Sequence, residues 1–592
     1  MSEIKDYFLI GDLHTSALVS KFGSIDWFCS PHFDDSTIFA KILDKKAGEF
    51  SIDKKNYSCK ANYIKNTAIV ENVFSKNSSE DSFKVKDFMV PQSVKNPKSH
   101  FLIRKLSSLS GNHLVKLYYK PMLNYGKISP KIIFKENSLI INLKNKKLIL
   151  HLPQDSKIEK KNNFYYILIK LKEKETKEII FEHCKNSNKE KNKDYEKETL
   201  KFWNKWISKG KFFNFCSERL KRSAITLKLM QFYPTGALIA APTFGLPESI
   251  KGNRNWDYRY SWTRDATFTL YAFKILGYKE EANKFFNFIE SVSQECKECG
   301  ITLRLFYTIN GLIPPKEETL NYLSGYKNSK PVRIGNDAKD QFQLDVYGVL
   351  IDSYYFMLSD NPKKLESKKE IIFYLMNQII DKWKQKDSGI WEFRDKIENY
   401  TYSKVMAWVG INRAIRICDI LKIPKDKKQD LIKAEKEIKD WIWENCYDKK
   451  NEKLLQYPGS KYQDSTNLLF VLLQFLDKKD LLTKKIIKKT LKEILYKDIF
   501  VYRYKRDDEF KGKEGAFILC TFWMISALSI IGEVDKAEKI FNDFEKILNN
   551  KGLISEEIEP TTGEYLGNYP QAFSHLGYIM SAYYIDRYKK RK

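Results

Sequence analysis

GAFILCTFWMISALSIIG, residues 515–532, is the one stretch of this chain long and uncharged enough to suggest a membrane span, and its reading decides the fold. As a span it is too short. Its apolar part would rise about 24 Å as a helix against a hydrocarbon core of about 30 Å, and it carries Ser, Thr and Cys. A helix apolar on every side is buried on every side, so it needs a ring of partner helices. Residues 215–592 supply them, because their apolar residues keep a helical period. Twelve helices are expected, at 217–233, 264–276, 279–295, 341–358, 365–383, 403–421, 428–445, 465–476, 481–496, 515–531, 534–548 and 570–585. Odd members such as 365–383 and 428–445 carry a charged face, whereas even members such as 465–476 and 515–531 are apolar nearly all round. Six amphipathic helices around six buried ones make a six-hairpin α/α toroid barrel.

Upstream the period changes. Short two-periodic runs at 68–74, 83–90, 101–106, 114–119, 139–143 and 164–171, separated by Lys, Asn, Ser and Gly, predict an antiparallel β-sandwich. The charged stretch after it holds Trp203 and Trp206, which suits a linker helix docked by its aromatics. The expected architecture is therefore multidomain β plus α: a β-sandwich over 1–185, a linker helix over 186–214 and a catalytic α/α barrel over 215–592.

Composition narrows the function. The 592 residues are 43% hydrophobic and 14% aromatic, enough for a large core. The net charge of +28 invites a nucleic-acid reading, but the lysines are interspersed with Glu and Asn along the whole chain, as in NSNKEKNKDYEKE at 186–198, and form no arm or stripe. Neither a nucleic-acid nor a membrane partner is expected. Nine cysteines without framework spacing suit reduced thiols, and the CxxC of Cys296 and Cys299 has no second pair or nearby His to complete a zinc site. No metal or cofactor is expected. MSEIKDYFLIGD has no secretory pattern, which points to the cytoplasm.

The chemistry gathers at one rim. Links from even helices to the next odd one are short, as at 277–278 and 532–533, while links from odd to even are long and rich in Trp, Tyr, Glu, Asp, Arg and Gly. RNWDYRYSWTRDA at 254–266 mixes four aromatics with Asp257, Arg259, Arg264 and Asp265; aromatic faces stack on sugars, and Arg and Asp pair with hydroxyls. A helix cap beside core aromatics is the simpler alternative for the same residues. In GIWEFR at 389–394, Glu392 stands beside Trp391, and a carboxyl against an indole is desolvated and keeps its proton as a general acid. Glu556, Glu557 and Glu559 crowd together in ISEEIEPTTGEYLGNYPQAFSH at 554–575, where one ionised carboxylate suits a base. Two carboxyls with opposed requirements are the minimal equipment of glycoside hydrolysis.

Taken in order, YFLIGDLHTSALVSKFGSIDWFCSPHFDDSTIFAKIL at 7–43, RNWDYRYSWTRDA, IWEFR, TYSKVMAW, EGAFILCTFW and GNYPQAFSHLG resemble glycoside hydrolase family 15, in its bacterial and archaeal glucoamylase-like and trehalase-like branch. The resemblance spans nearly the whole chain. It implies inversion, with Glu392 matching the general acid and Glu556 the general base, and with Arg264 and Asp265 matching residues that hold the nonreducing-end glucose. Trp256, Tyr258, Trp262, Trp391, Arg394 and Glu557 complete the expected sugar-binding set. Ser261 stands where many relatives have Cys, and Glu559 where Asp is usual before Pro560. Phe393 and Arg394 replace the second carboxylate of the fungal starch-degrading members, as in the trehalase-like branch.

The expected activity is release of a terminal α-glucosyl unit from a small carbohydrate, either trehalose or a malto- or isomalto-oligosaccharide. An α-glucoside phosphorylase, which needs no second carboxylate and is disfavoured by Glu556, and a noncatalytic sugar-binding protein, disfavoured by the presence of both Glu392 and Glu556, are the rival readings. His575, Trp408, Trp523, Asn336, Asp337, Gln341 and Glu514 each admit a structural or a sugar-binding role.

Overall fold

The computed structural model describes residues 2–162, 164–187, 193–506 and 512–590. Two eight-stranded antiparallel sheets occupy the chain from Tyr7 to Cys184. All six expected strands are present, as Val70–Lys76, Ser82–Met89, Ser99–Ser110, His113–Lys120, Ser138–Asn142 and Phe164–Leu171. Phe74, Val85, Leu106, Val115, Leu117, Ile141 and Ile169 meet in one core between the sheets.

Three strands do double duty. Tyr7–Gly11, Ser16–Ser20 and Ile25–Cys29 are buried along their whole length. Successive side chains on a strand point to opposite faces. Phe8, Ile10, Ala17, Val19 and Phe28 therefore enter the sandwich core, while Tyr7, Leu9, Leu18 and Trp27 join the core of the helical region. Trp27 Nε1 also donates to Pro242 O at 2.9 Å, which ties the sheet to a rim loop.

Thirteen α-helices follow among the described residues: α1 Tyr195–Ile207, α2 Ser217–Met230, α3 Ala266–Ile275, α4 Lys279–Cys299, α5 Asp345–Leu358, α6 Pro362–Ser367, α7 Lys369–Lys382, α8 Thr401–Ile420, α9 Gln429–Asn445, α10 Leu481–Ile494, α11 Ile518–Ile530, α12 Val534–Ile547 and α13 Ala572–Lys589. In α1, Trp206 stacks on Tyr278 at 4.1 Å and donates to Glu281 Oε1 at 2.6 Å, so this segment is docked by its aromatics. Residues 188–192 of the expected linker lie outside the described residues.

Helices α3, α5, α8, α11 and α13 form the inner ring, which closes where α13 meets α3. Helices α2, α4, α7, α9, α10 and α12 pack outside it. All thirteen residues of α11, within the uncharged stretch 515–532, are buried. Among the described residues no helix is long and apolar enough to cross a membrane.

One expected helix is absent. Residues 465–476 hold an inner place as a 3₁₀ turn at Ser465–Leu468 followed by irregular turns. The amide of Leu473 bonds four residues back, that of Phe475 five and that of Leu476 six, with Gln474 in the left-handed region at φ 65°. Burial of Leu468, Leu469, Phe470, Phe475 and Leu476 satisfies the apolar pattern without a regular helix.

Candidate active site

A cavity enclosing about 830 Å³ of non-atom space, its open mouth included, lies where the long odd-to-even links converge. Its walls come from residues 231–265, 300–344, 383–400 and 548–571, from Arg503, Tyr504 and Phe517, and from the first turns of α11 and α13. Of the expected site residues, Trp256, Tyr258, Trp262, Arg264, Asp265, Trp391, Glu392, Arg394 and Glu556 all line it.

Glu392 sits at φ 59°, the left-handed region, which a non-glycine residue occupies only when its surroundings hold it there. Gln341 provides that hold by donating Nε2 to the carbonyls of Glu392 and Phe393 at 3.1 and 3.3 Å. Trp262 Nε1 and Arg264 Nη2 each donate to Glu392 Oε1 at 2.9 Å, while Oε2 makes no hydrogen bond among the described residues. The indole at this carboxyl is thus Trp262, not the expected Trp391. The left-handed turn separates the two neighbours, and Trp391 instead approaches Phe517 and Trp523 and donates to Asp464 Oδ2 at 3.4 Å.

Arg264 and Asp265 do not make the helix cap that was the simpler reading. Asp265 stands at the N-cap of α3 without a capping hydrogen bond, and its Oδ1 has no partner among the described residues. Burial, with the nearby charge of Glu392 adding to it, pushes its pKa up to about 8. A buried carboxyl left unsatisfied is poised for hydroxyls brought by a ligand. Arg264 is oriented by Gln343, whose Oε1 accepts from Nη1 at 2.9 Å. The other charged pair of this motif is structural: Arg259 and Asp257 bind each other at 2.7 Å in full burial, and Arg259 Nη1 reaches Asp35 O in the sheet region at 2.7 Å.

Glu556 precedes the short strand Glu557–Ile558, which pairs with Ala516–Phe517 and Tyr565–Leu566. Its Oε2 accepts from Asn568 N at 3.2 Å, and the Tyr258 hydroxyl donates to the same carboxyl. The backbone beside it is tight: a Cβ at Gly567, where φ is 72°, would stand 2.3 Å from that Oε2. Glu557 points the other way, as neighbours on a strand do. It accepts from Gly515 N at 3.0 Å and, alone among the expected site residues, does not line the cavity. Glu559 caps a turn through the amides of Thr561 and Thr562.

Behind Glu556 three carboxyls share two guanidiniums. Arg503 bonds Glu248 Oε2 at 2.8 Å and also Glu514, and it stands 3.6 Å from Glu557; Arg254 bonds Glu514 Oε2 at 3.0 Å. Burial and then the charge of Glu248 push Glu556 well above the usual carboxylate range, against the pull of Arg503 and Tyr258. Glu248 and Arg503 line the cavity and were missed in the sequence. A charged residue inside an apolar run, as in FVYRY at 500–504, is the signal that marks Arg503.

The ambiguous residues divide cleanly. Trp523 and Asn336 line the cavity, whereas Trp408 packs on Phe475 inside the barrel and Asp337 accepts from Glu317 N. His575 is a core histidine: Nε2 accepts from Ile554 N at 3.3 Å and Nδ1 meets Ser223 Oγ at 3.0 Å, which braces the Glu556 loop from beneath.

Comparison with known proteins decides the family. Residues 216–583 match the model for glycosyl hydrolases family 15, and residues 2–201 match a trehalase-like N-terminal model. The chain belongs to glycosyl hydrolase family 15. It is 32% identical to a trehalase of Thermoplasma volcanium over 98% of this chain and 93% of that one. With a trehalase of Mycolicibacterium smegmatis it shares 32% over 99% of this chain and 91% of that one. A bacterial glucoamylase solved with acarbose shares the fold, with TM-score 0.74 and 15% identity, covering 99% of this chain and 94% of that chain. This family 15 protein is accordingly an inverting glycoside hydrolase of the glucoamylase and trehalase type, acting on α-glucosides as its small carbohydrate substrates.

Proposed function

We propose that this hydrolase cleaves α,α-trehalose, with Glu392 as general acid and Glu556 as general base. The observation that carries the substrate is the 32% identity, over nearly the full length of both chains, to proteins named trehalase in Thermoplasma volcanium and Mycolicibacterium smegmatis. The sequence Phe393-Arg394 after the acid supports it. Arg264 and Asp265 hold the glucose under attack, Trp262 and Arg264 orient Glu392 from one side, and its free Oε2 delivers the proton to the glycosidic oxygen. A raised pKa makes Glu556 the stronger base toward water once ionised, and Tyr258 and Asn568 N–H hold that form. Trp256, Trp391 and Arg394 face the sugars, and Glu557 keeps Arg503 in place. We further propose 1–185, 186–214 and 215–592 as the sandwich, linker and catalytic domains, and a reducing, cytoplasmic location in view of nine free cysteines.

Proton NMR of the first minutes of trehalose hydrolysis tests both parts. Inversion gives one β-glucose from the attacked ring and one α-glucose from the leaving ring, so an initial one-to-one mixture is expected. Two α-anomers would sink the base assignment, and absence of turnover would sink the substrate. In the same assay Glu392→Gln loses trehalose turnover but retains activity on α-glucosyl fluoride, whose leaving group needs little protonation.

A further inference from the structure

One carboxylate outside the cavity ties two rim loops together, and the arginines it holds reach a third. Glu317, in residues 300–344, takes Arg333 Nε on Oε1 and Arg394 Nη2 on Oε2, both at 2.9 Å. Both guanidiniums lie over the indole of Trp256, with Arg333 at 4.9 Å and Arg394 at 4.4 Å from the ring centroid. Arg394 Nη2 also reaches Asn336 Oδ1 at 3.4 Å, and Arg333 Nη1 donates to Asn253 O at 2.7 Å. Trp256, Asn336 and Arg394 line the cavity; Glu317 and Arg333 stand behind them, with side chains only 12% and 13% exposed.

This clamp sits on the leaving-group side. Arg394 is two residues beyond Glu392, the carboxyl that protonates the glycosidic oxygen, so the sugar departing from that oxygen lies against the same loop. An unrestrained arginine loses rotamer freedom when it binds a ligand, and a carboxylate already holding the guanidinium removes much of that cost before substrate arrives. We propose that Glu317 is a specificity-determining positioning residue: by bridging Arg333 and Arg394 over Trp256 it closes the outer wall around the leaving sugar and limits that side to a single glucose. A longer glucan would have to pass through the ion pairs. The inference rests on the trehalase reading and adds to it the means of excluding oligosaccharides.

The test compares trehalose, maltotriose and α-glucosyl fluoride in the wild type, Glu317→Gln and Glu317→Ala. The fluoride has no leaving sugar, so it reports the attacked-glucose side alone. Both variants should lose about tenfold in kcat/KM on trehalose, mainly through KM, as expected when a preorganised charged contact is released. They should stay within twofold of wild type on the fluoride and raise the maltotriose-to-trehalose ratio. Equal losses on trehalose and fluoride would mark general distortion and overturn the proposal, as would an unchanged ratio in the isosteric Glu317→Gln. A wild type that cleaves the fluoride but not trehalose would refute the substrate reading instead, which keeps the two failures apart.

Discussion

At the residue scale, the site depends on backbone positions as much as on carboxyls. Glu392 is reachable in the sequence because GIWEFR places a carboxyl among aromatics in a long link, yet its left-handed φ and its donors Trp262 and Arg264 come from packing. Residue chemistry alone leaves Glu556 as one of three glutamates, and the family resemblance singles it out; strand alternation beside Ala516–Phe517 is what turns Glu557 away from the cavity. Gly567 then sets how close the chain passes. Gly567→Ala forces a Cβ to 2.3 Å from Glu556 Oε2 and strains a φ of 72°. The variant should lose kcat at least about 100-fold, the scale of displacing a catalytic group by an ångström, and about 1–3 kcal/mol of stability. Steady-state kinetics alongside thermal unfolding check this; wild-type turnover would remove the steric account of the base.

Elements explain why the expected inner helices are apolar all round. Helices α5 and α8 approach until backbones touch, and Gly348 makes that possible: a Cβ there would lie 2.0 Å from Met406 O. Gly410 faces it, its own added Cβ falling 2.9 Å from Gly348 Cα. Gly348→Ala must push the two helices apart, costing about 2–3 kcal/mol as core overpacking does. Chemical denaturation should show that loss in the midpoint at an unchanged slope, and a neutral substitution would contradict the close crossing. The missing helix at 465–476 shows the limit of periodicity: an apolar run announces burial, and only its neighbours decide whether the backbone there is helical.

For the whole molecule, buried histidines link stability to acid. His575 is fully buried, and burial, followed by Arg219 and Arg222, lowers its pKa to about 3. Its folded pKa lies below the ordinary value near 6.5, so between these values the unfolded chain binds the extra proton and the contribution of His575 falls as pH drops. Buried carboxyls of raised pKa, such as Glu556, Glu557 and Asp265, act with the opposite sign, so the effect is read as a difference. The stability deficit of His575→Gln relative to wild type should shrink by about 2 kcal/mol from pH 7 to pH 5. A deficit independent of pH would mean that His575 takes up its proton as readily in the folded chain as in the unfolded one.

What the sequence determined by itself is therefore periodic or compositional: strands from the two-residue alternation, an α/α ring from helices apolar on every side, a functional rim from the inequality of the links, and a family from ordered motifs. Those properties depend on neighbours within one turn or one strand, which a linear reading contains. Tertiary structure alone decided which charges meet. Arg503 with Glu248, Glu514 and Glu557, Arg394 with Glu317, and Trp262 rather than Trp391 at Glu392 each join residues from separate loops. The energy of such contacts depends on distance and burial in space, so their residue types are visible along the chain while their pairing is not.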